Sequence, residues 1–168
     1  MLSVLIETRN NEEALARTLS SLVGAAVAGM VREVIVCDLG STDHTRQVAE
    51  QTGCHFLAEG GIAAGIAQAK SDWLLLLEPG ARLMDGWTEA VEHHMEMMAM
   101  PARFARSPAD KLPLFRKLFA RERALTEGLL IRKAQALPLS RRATTAEALA
   151  HGLATKRLRA EIRVAMPV

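Results

Sequence analysis

Over its first eighty residues the chain alternates short apolar runs, rich in β-branched residues, with longer amphipathic stretches, the pattern of βαβ units on a parallel sheet. Leu2 to Ile6 predicts the first strand. Asn10 or Asn11 follows as an N-cap, with Glu12 and Glu13 in the first helical turn and Leu15, Leu19, Leu22 and Val23 at helical spacing. Gly24 to Met30 reads as a connection of small residues. Glu33 to Cys37 predicts a second strand, and Gly40-Ser41-Thr42-Asp43 a turn that caps a helix running to about Thr52. His55 to Ala58 reads as a short third strand, and Gly60-Gly61 opens a third helix ending near Lys70. Trp73 to Leu77, flanked by Asp72 and Pro79, suits a central strand buried on both faces.

Beyond residue 80 the pattern loosens. A helix is expected from Trp87 to Met98, and a basic amphipathic one from Lys111 to Arg123 with Leu112, Phe115, Leu118 and Phe119 on one face. Gly128 to Ile131 reads as a strand. Thr144 and Glu147 have the spacing of a capping box for a helix through about Arg157, and a strand near Ile162 to Val164 closes the chain. No internal repeat is visible.

At 168 residues the expectation is one α/β domain, with a nucleotide-binding half over 1–85 and a shorter basic half over 86–168. Hydrophobic residues at 49% and charged residues at 24% fit a folded globular chain. The longest uninterrupted apolar run, Trp73 to Leu77, is far short of the roughly 20 residues that cross a bilayer, and the N-terminus lacks a basic-then-apolar leader. The protein is therefore expected in the cytoplasm, with Cys37 and Cys54 as buried thiols. Charge divides unevenly: residues 1–100 hold six Lys/Arg against fourteen Asp/Glu, and residues 101–168 hold fifteen against five. Either the two parts dock on each other, or the basic part faces phosphate or a lipid surface, or it is a solvated basic face.

In open parallel sheets ligands bind at the carboxyl ends of the strands. Glu7 and Thr8 follow the first strand, Asp38 the second and Glu78 the fourth. In a strand order of 3-2-1-4 they are expected side by side at about the 4.8 Å strand spacing. Three carboxylates there imply a metal, another cation or polar hydroxyls nearby. For Asp43, helix capping explains the residue.

These segments resemble family 2 glycosyltransferases. Leu2 to Glu12 (LSVLIETRNNE) is similar to the family's opening strand and turn, commonly an apolar run followed by Pro-Thr-Arg-Asn-Glu. Glu33 to Thr45 (EVIVCDLGSTDHT) is similar to its second strand and the Gly-Ser-Thr-Asp that begins the next helix. Ala64 to Trp87 resembles the run through the third helix, the fourth strand and its exit loop, including Asp72-Trp73, Arg82-Leu83 and Gly86-Trp87. The match covers about the first half of the chain. It implies a GT-A α/β fold, a nucleotide-sugar donor, Asp38 on the nucleoside, and Thr8, Arg9, Ser41 and Arg82 lining the substrate. The implied reaction is direct attack of an acceptor hydroxyl on the anomeric carbon.

Departures from the family are as informative. Relatives carry Asp-x-Asp after the fourth strand, which binds a divalent metal on the sugar diphosphate, whereas this chain has Glu78-Pro79-Gly80. A Mg²⁺ or Mn²⁺ site is reduced to Glu78, with Glu7 as a relocated ligand where relatives have proline. Ile62 and Ala63 replace an Arg and an Asn that relatives place near the sugar and phosphates. Gly128 to Lys133 and Thr144 to Arg163 resemble the late strand and the closing elements. Glu147 is the sole candidate base there, and capping already explains it.

Other features carry structural readings. His93 and Glu96 have a spacing that can share a metal, though a solvated helix face explains them; Met95, Met97, Met98 and Met100 read as core filler. The basic helix at Lys111 to Arg123 is suited to an anionic membrane surface, where family relatives use lipid-linked acceptors in cell-envelope polysaccharide or glycolipid synthesis, and equally to packing on the sheet. No nucleic-acid partner is expected, since aromatics are sparse and no such motif is present. The two functions expected are sugar transfer from a nucleotide donor, and a family member that keeps the fold as a non-catalytic binding or assembly partner.

Overall fold

The computed structural model describes residues 1–110 and 123–165. Strand β1 (Leu2–Thr8) lies parallel to β2 (Val31–Asp38) on one side and to β4 (Trp73–Leu77) on the other, with β3 (His55–Leu57) outside β2. This is the expected 3-2-1-4 order. All five residues of β4 are buried, because helices cover both faces of the sheet there.

Side-chain alternation assigns the helices to layers. Val4, Ile6, Val36, Leu75 and Leu77 face one layer. On them pack Leu15 and Leu19 of α1 (Glu12–Ser20), Ala25 of α2 (Val23–Val27), Ala49 of α3 (Thr45–Gln51), and Trp87 and Val91 of α5 (Trp87–Met97). The opposite face presents Leu5, Ile35, Cys37, Leu74 and Leu76, covered by Ile62 and Ile66 of α4 (Gly61–Gln68). Later elements extend both layers. Ala136 of α6 (Lys133–Ser140) and Leu149 of α7 (Ala146–Ala150) join the α4 side.

The sheet continues past β4 through antiparallel pairing with β7 (Leu129–Arg132), from Trp73↔Arg132 to Leu76↔Leu129. Beyond it stand β6 (Ala102–Arg106), β8 (Lys156–Arg163) and the edge strand β5 (Arg82–Leu83). Among the described residues the order is β3-β2-β1-β4-β7-β6-β8-β5. No described helix is long and apolar enough to cross a membrane.

Several expectations are corrected. The small-residue connection at Gly24 to Met30 contains α2, since alanines favour a helix wherever nothing forbids one. The helix expected from Thr144 to Arg157 is confined to Ala146–Ala150; Gly152, at φ 74, turns the chain out of it, and β8 begins at Lys156. In β8 Leu158, Ala160 and Ile162 alternate inward with Arg157, Arg159, Glu161 and Arg163, a period of two. Strands β5 and β6 and helix α6 are additional elements. Met97, Met98 and Met100 are exposed, and only Met95 of that group packs against the core. Cys54 is half-buried and Cys37 fully so; both are free thiols. The amphipathic stretch from Lys111 lies outside the described residues up to 122.

Helix α4 approaches the sheet at Gly65. A Cβ there would stand 2.5 Å from Cys37 Sγ and 3.2 Å from Leu5 Cδ2. Gly65→Ala is therefore expected to lose about 1–3 kcal/mol by overpacking, more than the roughly 1 kcal/mol alanine adds in a helix. Gly24→Ala in α2, where nothing lies within 4 Å, is the control and is expected to hold or raise stability. Urea unfolding of the two variants measures both.

Candidate functional site

Register fixes which side chains meet at the carboxyl edge. Thr8 pairs with Asp38 and Glu7 with Cys37. Pairing of β1 with β4 ends at Ile6↔Leu77, so Glu78 follows one step beyond, level with Glu7. Because neighbours along a strand point to opposite faces, Thr8 and Asp38 turn to the side of Ile6 and Val36, and Glu7 to the side of Leu5 and Cys37. The carboxylates expected side by side are thus divided between two faces. Among the described residues no group of three or more His, Cys, Asp or Glu side chains is placed to hold a metal ion.

The Asp38 face is a pair of stitched loops. Asp38 is 6% exposed; its Oδ2 accepts the N–H of Gly40 (3.1 Å) and Ser41 (2.8 Å), and its Oδ1 accepts the Ser41 hydroxyl. Ser41 Oγ in turn accepts the N–H of Asn10 at 2.9 Å, and Asn10 Oδ1 accepts that of Thr42 at 2.8 Å. Asn10 adopts φ 50, a left-handed conformation that asparagine tolerates. Asn11 stands at the N-cap of α1 without a side-chain cap bond; Asp43 supplies it, accepting the N–H of Glu12 at 3.3 Å while also accepting that of Thr45 at 3.0 Å. Hydrogen bonding, first from the Thr45 hydroxyl, holds the Asp43 carboxyl below its usual range. Thr8 is 3% exposed and its hydroxyl has no hydrogen-bond partner among the described residues. Arg9 is exposed at the start of the loop.

The opposite face is built around carboxylates. Glu7 Oε2 accepts the N–H of Ala146, the first residue of α7, at 3.0 Å, while Oε1 is buried without a hydrogen-bond partner among the described residues. Burial raises the Glu7 pKa, and the N–H groups of Ala146 and Ile62 oppose the rise in part. Burial and then the Glu7 charge push the Cys37 thiol up to about 12, so it stays protonated. Glu78 is 6% exposed, and the Arg123 Nε lies 3.3 Å from its Oε1. Its pKa is raised by burial, with Arg123 pulling it down, Glu147 pushing it up and Arg106 pulling it down.

Glu147 has a different role from the one its spacing suggests. Thr145, not Thr144, is the N-cap, its hydroxyl oxygen accepting the N–H of Ala148 at 3.1 Å. The Glu147 carboxylate instead accepts the N–H groups of Ala124 and Leu125, the latter at 2.9 Å, and so fixes the segment entering β7. Arg103 holds the same segment from the other side, donating to the carbonyls of Ala124 and Ala150. Arg106 and Arg157 both pair with Glu127. Arg82 lies exposed on β5, paired with β8 at the far edge of the sheet order from β2. Arg103 and Arg106 have no local signal beyond the basic excess after residue 100 and Glu127 has none, while Arg123 was expected on the basic helix rather than against Glu78.

Residues 3–113 match the family described as Glycosyl transferase family 2. A TPR repeat-containing protein of Synechococcus elongatus is 36% identical over 95 residues, which make up 52% of this chain and 22% of that protein. The fold is similar to glucosyl-3-phosphoglycerate synthase from Mycobacterium tuberculosis in complex with Mn²⁺, UDP and glucosyl-3-phosphoglycerate, at 18% identity and TM-score 0.56, covering 81% of this chain and 58% of that one. Residues 1–349 of S. aureus TarS in complex with UDP give 18% identity and TM-score 0.64, covering 94% and 56%. Mannosyl-3-phosphoglycerate synthase from Rubrobacter xylanophilus gives 13% identity and TM-score 0.63, covering 100% and 68%. These likenesses bear out the expected GT-A fold. The chain spans little more than half of the first two structures and about a fifth of the Synechococcus protein.

Two outcomes follow from the site's electrostatics. The Glu7 pKa is raised on folding, so the folded chain binds the extra proton between the ordinary value of 4.5 and the raised one. Its destabilising effect is complete above the raised pKa and relieved as pH falls toward 4.5; Glu7→Gln is expected to raise the melting temperature at pH 8 and flatten the pH dependence in that window. Glu147→Gln turns an acceptor pair into one acceptor and one donor facing two N–H groups. It is expected to cost about 1–2 kcal/mol in denaturant unfolding.

Proposed function

This chain belongs to glycosyl transferase family 2, and we propose that it binds a nucleotide sugar at the carboxyl edge of β1, β2 and β4 and transfers the sugar to an acceptor hydroxyl. The observation that carries this reading is two buried oxygens at that edge, Glu7 Oε1 and Thr8 Oγ1, which lack hydrogen bonds among the described residues, beside a buried Glu78 whose partner is the exposed Arg123 guanidinium. Each such atom costs about 1–3 kcal/mol when left dry, so an edge that keeps two of them is shaped for a polar ligand.

The Asp38 face takes the nucleoside. Three of the roughly four acceptor positions of its carboxylate are filled by Gly40 and Ser41, which leaves one for a ribose or base donor. In this reading Thr8, Arg9 and Ser41 line the same opening. In the transfer, the acceptor oxygen forms a bond to the anomeric carbon as the bond to the diphosphate breaks, and the acceptor proton passes to a base. Glu147 is a poor base because both its oxygens are committed to backbone N–H groups. The acceptor side is the basic half, and stretch 111–123 is suited to bring it to an anionic membrane surface.

The M. tuberculosis structure holds Mn²⁺ with UDP. In this chain the residues at the corresponding turn do not fit such an ion: Pro79 and Gly80 offer no side-chain donor, and Glu78 is one carboxylate already facing a guanidinium. A second reading, a non-catalytic binding partner, is favoured by the commitment of Glu147 to backbone N–H groups.

Thermal shift against UDP, GDP and their sugars tests the binding. A diphosphate at one hundred times its Kd is expected to stabilise the chain by about 2.7 kcal/mol, and Asp38→Ala to abolish the shift. Release of the nucleoside diphosphate from a sugar donor separates the two readings. A chain that no nucleotide stabilises, with or without Mn²⁺, overturns the proposal.

A further inference from the structure

The turn after β4 is closed to a second acidic ligand. The Gly80 N–H is given to the Ala14 carbonyl at 3.0 Å and the Thr18 hydroxyl at 2.8 Å, which ties the turn to α1. Gly80 has φ 93, and a Cβ on it would meet the Cβ of Ala165 at 3.2 Å. An aspartate there would carry both backbone strain and a clash, so the missing carboxylate is built into the packing.

The remaining carboxylate already has a cation. Arg123 sits on Glu78, and among the described residues this is its one ion pair. The Arg123 side chain is 64% exposed while that of Glu78 is 8% exposed, so the guanidinium is anchored at one end and open to solvent at the other. Arg106 adds positive potential at the same carboxylate. A divalent ion wants six or more oxygens and would have to displace the guanidinium to gain one side chain. A guanidinium fork, by contrast, matches the spacing of phosphate oxygens and is always charged.

We propose that this chain takes a nucleoside diphosphate without a divalent cation, with Arg123, seated on Glu78, in the place of the metal. The inference rests on the nucleotide-binding reading above. Arg123 then contacts the bridging region of the diphosphate and stabilises the negative charge that grows on it as the sugar leaves. Arg106, itself paired with Glu127, acts through the local potential.

The test is calorimetric titration of the full chain with UDP, GDP, CDP, ADP and dTDP, first in EDTA and then in Mn²⁺, with the parent nucleosides as phosphate-free controls. At least one diphosphate is expected to bind in EDTA with a Kd within about twofold of that in Mn²⁺. Arg123→Gln is expected to weaken that diphosphate about tenfold or more, to leave the nucleoside unchanged, and to be partly rescued by Arg123→Lys. Circular dichroism verifies the fold of each variant. Binding that requires Mn²⁺, or a diphosphate affinity indifferent to Arg123→Gln, overturns this inference and leaves the nucleotide reading standing. No binding under either condition removes both.

Discussion

Parallel pairing of β1 on both its edges is the constraint on which the rest depends. It holds from Ser3↔Glu33 to Thr8↔Asp38 on one side and from Leu2↔Trp73 to Ile6↔Leu77 on the other. A slip of one residue would exchange the layer faced by Val4 and Ile6 with the one faced by Leu5. A polar clasp at the amino end secures the register. Glu33 accepts the Ser3 hydroxyl at 2.7 Å and the Lys70 N–H at 2.6 Å, and Ser3 Oγ accepts the Ser71 N–H at 3.2 Å, joining the starts of β1, β2 and β4. Burial works against the Glu33 charge, but the Ser3 hydroxyl, the Lys70 N–H and the charges of Lys70 and His55 outweigh it and hold the carboxyl below its usual range.

With the amino ends tied, the carboxyl ends are free to carry strain. Glu7 and Glu78 are both raised by burial, and neither is fully compensated. The same register that divides Thr8 and Asp38 from Glu7 and Glu78 makes two chemically distinct surfaces from one sheet edge. One is a rigid hydrogen-bonded loop pair; the other is a set of buried carboxylates facing arginines. A ligand that spans the edge meets the Asp38 carboxylate and hydroxyl groups on one side and a guanidinium on the other.

Much of this was legible from residue order alone, and the exceptions share a cause. Strands β1 and β4 and helix α4 announce themselves through local apolar periodicity, and Asp43 through its position before a helix. The side-by-side placement of the carboxylates failed because strand order was considered without the pleat, although Glu7 and Thr8 are adjacent and must face opposite ways. The start of strand β8 was obscured by Lys156 and Arg157, which fit the basic end of the helix expected from Thr144, and α6 by Pro138. The Arg123–Glu78 and Arg103–Ala124 contacts are products of tertiary packing, and no local spacing encodes them.

The opposed charges of the two parts of the chain now have specific uses. Lys133 Nζ donates to the carbonyls of Ala67 and Ala69 at the end of α4, Arg132 lies 5.1 Å over the Trp73 ring, and Arg123 reaches Glu78, so the basic part does dock on the acidic part at these points. Arg103 spans two carbonyls, and Arg106 and Arg157 share Glu127. These contacts are wiring: they stitch β6, β8 and the entry to β7 together, and a cation bound to a carbonyl or a half-buried glutamate is poorly placed to meet an external anion. Arg123 differs in its deeper anchor, Glu78 being 8% exposed against 19% for the Glu127 that Arg157 shares with Arg106. A residue of that kind loses less side-chain freedom on meeting a phosphate than a free surface arginine does, because Glu78 has already restricted it.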